Sequence, residues 1–255
     1  MGYSSPTDIA NSLIKSRKDN AQWDVGTILP LENIDDVYAT QDLVTAALGA
    51  DVRAWKTSPL EDGTAFVGPI YATNIFASGA QIPASKMHVI GIEGEIAFRI
   101  NRDLPNQERP YIRGDILTSI SEMLPLIELV DTRMINGMEQ DPTLKMADNQ
   151  SNYGIIIGDV STKDWTDINA TMAEVHLTVN DKKLFSGISS SPINDMFDLM
   201  AGTANSCVKY DRPVRAGDII TTGSCTGIVF IEPGSNVVLN FPEIGQVEAS
   251  ILLLD

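Results

Sequence analysis

The sequence predicts an α+β fold in which a small helical N-terminal region precedes a β-rich body. Up to about residue 50, apolar residues recur at helical spacing behind residues typical of helix starts. Beyond that point, short apolar runs are interrupted by Gly, Pro and Asn, as expected for strands and turns. The pattern changes between residues 50 and 60, so we divide the chain into a helical region, residues 1–55, and a β-rich catalytic body, residues 56–255.

Two helices are predicted in the N-terminal region. The first begins at the Ser-Pro-Thr-Asp segment of residues 5–8, with Ile9 and Leu13 on one face. The second covers residues 34–48 and ends at Gly49, although its apolar residues are only loosely periodic. Neither segment approaches the roughly 20 apolar residues needed to span a bilayer.

The body contains one long alternating segment, residues 90–100, which predicts a strand with two distinct faces. Residues 116–123 are expected to form a helix. The remaining predicted elements are strands at 124–130, 154–158, 173–179, 183–185, 218–222, 227–231, 236–241 and 245–254, a turn at Asn180 and Asp181, and a helix at 193–205.

The chain is strongly acidic, with 18 Lys and Arg against 34 Asp and Glu and a formal net charge of −16. Such a surface repels phosphate backbones and anionic lipids, so nucleic acid and membranes are poor partners. It also repels an anionic substrate, so a carboxylate ligand would need a local basic residue or a bound cation. Solubility, or a salty habitat, is a simpler explanation of the same acidity.

The two cysteines, Cys207 and Cys225, form neither a metal-type pair nor a disulfide framework. Reduced thiols are the better interpretation. The first residues lack the basic stretch and apolar run of a secretory signal. We therefore expect a cytoplasmic protein.

Three glutamates indicate a metal site. Side chains alternate across a strand, so Glu93 and Glu95 share one face with only Gly94 between them. Glu128 lies inside an apolar run, where a carboxylate needs a partner. Three carboxylates without Cys or His suit a hard cation such as Mg²⁺ or Mn²⁺. The alternatives are a solvated strand face for the first pair and, for Glu128, a buried ion pair with Arg133.

The segment Gly-Ile-Glu-Gly-Glu-Ile-Ala-Phe at residues 91–98, followed by Arg-Asp-Leu-Pro at 102–105, resembles the 2-oxopent-4-enoate (2-hydroxypentadienoate) hydratases and 2-oxo-hexenedioate decarboxylases of the fumarylacetoacetate hydrolase superfamily. The likeness covers most of the chain from about residue 35. Its further parts are residues 125–133, 147–151, 154, 217–224, 226–227 and 245.

The resemblance implies a β-rich mixed-sheet sandwich or roll of the fumarylacetoacetate hydrolase C-terminal type. It also implies a divalent metal on Glu93, Glu95 and Glu128, a homo-oligomer, and association with another enzyme of the same pathway. Lys56 aligns with the family's lysine and becomes the candidate catalytic lysine, although taken alone it is equally compatible with a surface position. Ser151 aligns with a serine of the hydratase pocket.

These residues together predict the chemistry. A 2-oxo acid can bind a cation through its carboxylate and 2-oxo oxygens. Lys56, beside that dication, would have a depressed pKa and could relay a proton. Thr222, Gly223 and Ser224 could present N–H groups and hydroxyls to the substrate carboxylate, or could simply form a tight strand turn.

One departure from the family bears on the reaction. Hydratases carry an acid in the loop before the ligand strand, whereas residues 72–74 contain no carboxylate and Asp62 lies earlier. The predicted function is a metal-dependent hydratase that converts a 2-hydroxy-2,4-dienoate to a 4-hydroxy-2-oxo acid in aromatic-compound catabolism. The alternatives are a 2-oxo-3-hexenedioate decarboxylase, an acylpyruvate-type C–C hydrolase and a non-catalytic partner subunit.

Overall fold

The chain begins with two helices, α1 (Pro6–Asp19) and α2 (Ile34–Leu48), as predicted. The Ser5 hydroxyl caps α1, and the Asn33 side chain caps α2. Gly49 ends α2 with φ 58°, a left-handed conformation that glycine adopts at little cost. The computed structural model describes residues 2–60, 64–169, 171–191 and 193–253.

The described residues then form thirteen strands and three further α-helices. They are β1 (Val52–Pro59), β2 (Ala65–Tyr71), β3 (Ile75–Ala77), β4 (Ala80–Pro83), β5 (Gly91–Ile100), α3 (Arg113–Leu117), β6 (Ile120–Val130), α4 (Pro142–Ala147), β7 (Asn152–Ile157), β8 (Glu174–Val179), β9 (Lys182–Ile188), α5 (Met196–Lys209), β10 (Ile219–Ser224), β11 (Val229–Phe230), β12 (Asn236–Phe241) and β13 (Gly245–Leu252).

These strands build two mixed sheets. The larger has the order β2-β1-β10-β5-β6-β7-β3, with β11 also paired to β5. The smaller has the order β4-β13-β12-β8-β9. The sheets approach closely at β5, where a Cβ on Gly94 would lie 2.4 Å from the Leu239 side chain. A side chain between the two glutamates would have to displace the buried Leu239, so glycine at this position lets the small sheet pack closely against that face.

The opposite faces of β5 differ as the alternation predicts. Ile92, Ile96 and Phe98 belong to the main buried apolar cluster, which also includes Ile9 of α1. Ala97, on the face of the glutamates, belongs to a separate small cluster. The predicted β-rich, mixed-sheet α+β class is confirmed, and none of the described helices has the length and apolarity to cross a membrane.

The predicted helix at 116–123 is wrong in its second half. Helix α3 ends at Leu117, and β6 begins at Ile120. Met123 pairs with Phe98 of β5. The apolar pattern of these residues also fits a helix, but their pairing with β5 makes them part of a strand. The predicted helix at 193–205 begins only at Met196, capped by Asp195. Leu254, the predicted end of the last strand, lies outside the described residues.

Candidate metal centre and active site

Strand register brings the three glutamates together. Glu93 of β5 lies directly opposite Glu128 of β6, and Glu95 follows on the same face. One carboxylate oxygen from each lies within 4.8 Å of the others. All three side chains are buried, Glu128 completely.

Lys56 reaches this cluster from β1. Its Nζ lies 2.7 Å from Glu128 Oε1 and 3.8 Å from Glu93 Oε2. Glu128 Oε1 also accepts from Asn152 Nδ2 at 2.8 Å. The partner of Glu128 is therefore Lys56 and not Arg133, whose Nε instead lies 2.6 Å from Asp148. The alternative ion pair that the sequence left open is wrong.

The cluster carries more negative than positive charge. Burial, followed by the charges of Glu128 and Glu93, raises the pKa of Glu95 well above its ordinary value. Burial and Glu128 also raise the pKa of Glu93. Glu128 Oε2 is buried and accepts no hydrogen bond from any described residue. An orphaned oxygen within three buried carboxylates fits a hard divalent cation.

The protein groups alone keep Lys56 charged. Burial acts to lower its pKa, but Glu128, Glu93 and Glu95 act in the opposite direction and the net shift is upward. The depressed pKa predicted for Lys56 therefore depends on the positive charge of an ion bound beside it.

A strained loop fixes the other side of Lys56. Asn149, Gln150 and Ser151 have φ values of 54°, 53° and 58°, a left-handed run that non-glycine residues rarely adopt. Asn149 Nδ2 donates to the Pro69 carbonyl at 3.0 Å, which holds this run in place. The Gln150 carbonyl accepts from Lys56 Nζ at 3.2 Å, and the neighbouring Ser151 is buried.

Glu93 and Glu95 line a cavity of about 510 Å³, which the fully buried Glu128 does not line. Gly223 and Ser224 line it, but the Gly223 N–H donates to Glu95 Oε2 at 3.0 Å. Thr222 does not line it, because its hydroxyl donates to the Ile96 carbonyl at 2.7 Å. The cavity thus contains Lys56, Ser151, Glu93, Glu95, Gly223 and Ser224 of the predicted set.

Other cavity residues were missed from the sequence. Met138, Lys145 and Met146 form part of the wall, on or just before α4. A lysine in a short helix is typical of a solvated surface, so no sequence signal separated Lys145 from that class. Strand alternation alone would place Thr222 and Ser224 on the same face, but the register between β10 and β5 shifts between Thr221 and Ser224, and only Ser224 of the two lines the cavity.

The loop that lacks the family's acid lies elsewhere. Ala72, Thr73 and Asn74 line a second cavity of about 480 Å³, together with Arg17 and Arg133. Residues 72–74, where the family's acid is missing, therefore line this second cavity and not the cavity of the glutamates. Asp62 lies outside the described residues.

Comparisons with known proteins agree with this architecture. Residues 37–252 match the fumarylacetoacetate (FAA) hydrolase C-terminal family. The chain is 26% identical over 234 residues to 2-keto-4-pentenoate hydratase 2 of Dechloromonas aromatica (strain RCB), covering 87% of each protein. It is 25% identical over 171 residues to 4-oxalocrotonate decarboxylase of Pseudomonas putida, covering 67% of this chain and 63% of that protein. The solved structure of 4-oxalocrotonate decarboxylase from Pseudomonas putida G7, complexed with magnesium and adipate, matches with a TM-score of 0.82, 20% identity and 97% coverage of both chains.

Proposed function

Because the chain belongs to the fumarylacetoacetate hydrolase C-terminal family, we propose that it is a metal-dependent lyase of aromatic-compound catabolism. It adds water to a 2-hydroxy-2,4-dienoate, the enol of a 2-oxo-4-enoate, and releases a 4-hydroxy-2-oxo acid. The observation that carries the proposal is the buried cluster of Glu93, Glu95 and Glu128 beside Lys56, open to a cavity of about 510 Å³. Relatives named as hydratases support the reaction class.

We assign Mg²⁺ or Mn²⁺ to the three glutamates, since oxygen ligands suit these hard ions. Such an ion supplies Lewis-acid polarisation of the substrate's 2-oxo group. The magnesium in the matched decarboxylase structure supports this choice. Glu95 is oriented for this role by the Gly223 N–H, and Glu128 by Asn152.

Lys56 is the proposed proton carrier. Its ammonium is held between Glu128 and the Gln150 carbonyl at the inner end of the cavity. From there it can deliver a proton to substrate carbon and recover one from the attacking water. Ser151 lies beside this path, where its hydroxyl can orient that water. Gly223 and Ser224 face the carboxylate end of the substrate, whereas Thr222 acts only by tying β10 to β5.

The test is to incubate the purified protein with Mg²⁺ and freshly prepared 2-hydroxypenta-2,4-dienoate, follow the dienol absorbance and identify the product. Metal-dependent formation of 4-hydroxy-2-oxopentanoate supports the proposal. Substrate that persists with Mg²⁺ and with Mn²⁺ contradicts it.

Decarboxylation of a 2-oxo-3-hexenedioate is the second candidate. It is favoured by the similarity to 4-oxalocrotonate decarboxylase, which extends over 97% of both chains in the structural match. Incubation with that dioate distinguishes the two reactions, because decarboxylation releases CO2 and accumulates 2-hydroxypenta-2,4-dienoate, whereas hydration retains every carbon.

We also propose a cytoplasmic homo-oligomer with residues 56–255 as its catalytic body. Mass measurement by light scattering during size-exclusion chromatography tests the assembly: a mass equal to the 27.6 kDa chain would contradict it.

A further inference from the structure

Lys145 is the second lysine of the glutamate cavity. It lies in the last turn of α4, between Pro142 and Met146, which line the same wall. Its Nζ donates to the Met138 carbonyl at 3.3 Å, and no described carboxylate forms an ion pair with it. An ammonium carries three N–H donors, so two of them have no protein partner in the described chain.

The two cavity lysines therefore differ in their environment. Lys56 is neutralised by Glu128 and Glu93, whereas Lys145 is half-buried without a counter-charge. A partly desolvated charge without a partner is unfavourable, and an anion that enters the cavity would remove that penalty. The net charge of −16 makes such a local cation necessary for holding an anionic group.

The remaining wall of the cavity that Glu93, Glu95 and Lys145 line is mainly apolar. Val130, Met146, Ile193 and Ile228 contribute to it. A substrate whose 2-oxo carboxylate end lies at the glutamates would place its hydrocarbon chain against this surface. A monocarboxylic dienoate would end there in a methylene group, while a dicarboxylic one would bring a second carboxylate against the wall to which Lys145 contributes.

We propose that Lys145 binds the distal carboxylate of a dicarboxylic 2-oxo-enoate and makes the enzyme prefer dicarboxylic over monocarboxylic substrates. This specificity role rests on the proposed function, since it assumes that the 2-oxo end of the substrate lies at the glutamates. It applies equally to hydration and to decarboxylation of such a dioate.

The test compares kcat/KM, with Mg²⁺, for 2-oxo-3-hexenedioate and 2-hydroxypenta-2,4-dienoate. The variants are Lys145→Met, Lys145→Arg and, as a matched control, Lys163→Met at an exposed position. We expect Lys145→Met to lower the ratio of the two kcat/KM values about 10- to 100-fold, the usual effect of losing a hydrogen bond to a charged group. Lys145→Arg should retain most of the ratio, and Lys163→Met all of it.

If the ratio of the two kcat/KM values is unchanged in Lys145→Met, or if both values fall equally, the role of Lys145 is refuted. The activity of the wild-type protein would still support the proposed function in that case. A wild-type protein inactive on both substrates would instead overturn the proposed function. Calorimetric titration of the Mg²⁺-loaded protein with adipate and with hexanoate then decides the role of Lys145. Tighter binding of adipate that Lys145→Met abolishes supports it, and equal affinities refute it.

Discussion

Two groups of buried charged residues flank the left-handed loop at residues 149–151, and they differ in charge balance. The first, the glutamate cluster, has three acids and one base. The second, the arginine cluster, has two acids and two bases. The glutamate cluster consists of Lys56, Glu93, Glu95 and Glu128, and the arginine cluster consists of Arg17, Arg133, Asp131 and Asp148.

The arginine cluster is neutralised by its own members. Asp148 Oδ1 lies 2.6 Å from Arg133 Nε and 3.2 Å from Arg17 Nη2. Asp131 accepts the N–H groups of His88 and Val89. Each cluster also has buried polar atoms without a described hydrogen-bond partner: the donors Arg17 Nε and Arg133 Nη1 in the arginine cluster, and the acceptor Glu128 Oε2 in the glutamate cluster. Apart from half-buried Arg17, both clusters are buried, so the excess of negative charge, and not burial itself, distinguishes the cluster to which we assign a cation.

The largest effect is expected from Glu95→Gln, which removes one charge from the glutamate cluster at constant shape. Loss of a ligand should weaken Mg²⁺ binding and abolish metal-dependent turnover, by at least about 100-fold. Isothermal titration with Mg²⁺ and a turnover assay measure the two effects. The control is Glu122→Gln, whose carboxylate pairs with Arg99 at the surface. Turnover that is unchanged in Glu95→Gln, or unchanged when metal is depleted from the buffer, would refute the assignment of Glu95 as a metal ligand.

Lys56→Met separates chemistry from metal binding. We expect turnover to fall about 10²- to 10⁴-fold, the usual contribution of a positioned proton carrier. Mg²⁺ affinity should be kept or increased, because a cation that competes for Glu128 has gone. The same two assays apply, with exposed Lys182→Met as control. Parallel loss of metal affinity and turnover would show that Lys56 supports the site without carrying protons.

Arg133→Met tests the balanced cluster. It leaves buried Asp148 with only Arg17, and we expect a loss of about 3 to 5 kcal/mol in the free energy of unfolding. Urea denaturation measures this loss. Arg99→Met, which breaks a half-exposed ion pair, should cost no more than about 1 kcal/mol. Equal losses in the two variants would mean that the arginine cluster is no more important than a surface pair.

The smallest effect concerns pH. The folded-state pKa values of Glu93 and Glu95 are raised, so their stabilising contribution is present below their unfolded pKa and is lost as the pH rises through the folded pKa. When a chelator removes divalent cations, the free energy of unfolding of Glu95→Gln should therefore exceed that of the wild type near pH 8 by on the order of 1 kcal/mol. This difference should shrink towards pH 4. Urea denaturation across that range measures it. A less stable Glu95→Gln at pH 8 would contradict the charge imbalance.

Local patterns predicted the group of three glutamates but not the partners of these residues. Alternation placed Glu93 and Glu95 on one face, and a charge within an apolar run identified Glu128. The contacts of Lys56 with Glu128, 72 residues away, depend on how β1, β10, β5 and β6 are ordered in the sheet. No local period contains that order, which is also why Arg133 was given the wrong partner.

Mixed signals explain the remaining errors. Residues 116–123 satisfy both helical and strand periods, and only pairing with β5 decides between them. In a regular strand Thr222 and Ser224 share a face, but the register of β10 against β5 shifts between Thr221 and Ser224, and only Ser224 of the two lines the cavity. The left-handed run at 149–151 contains no glycine, so the local sequence does not predict its positive φ values. Tertiary contacts, such as the hydrogen bond from Asn149 to the Pro69 carbonyl, hold it in this conformation.

The direct opposition of Glu93 and Glu128 has a consequence for biogenesis. A slip of one residue between β5 and β6 would turn one of the two carboxylates to the opposite face of the sheet. Only chains with the correct strand pairing can then assemble the complete ligand set. A cation that binds only the native state favours that state by mass action. It would therefore raise the population of correctly paired chains at the expense of chains with a misaligned β5–β6 register.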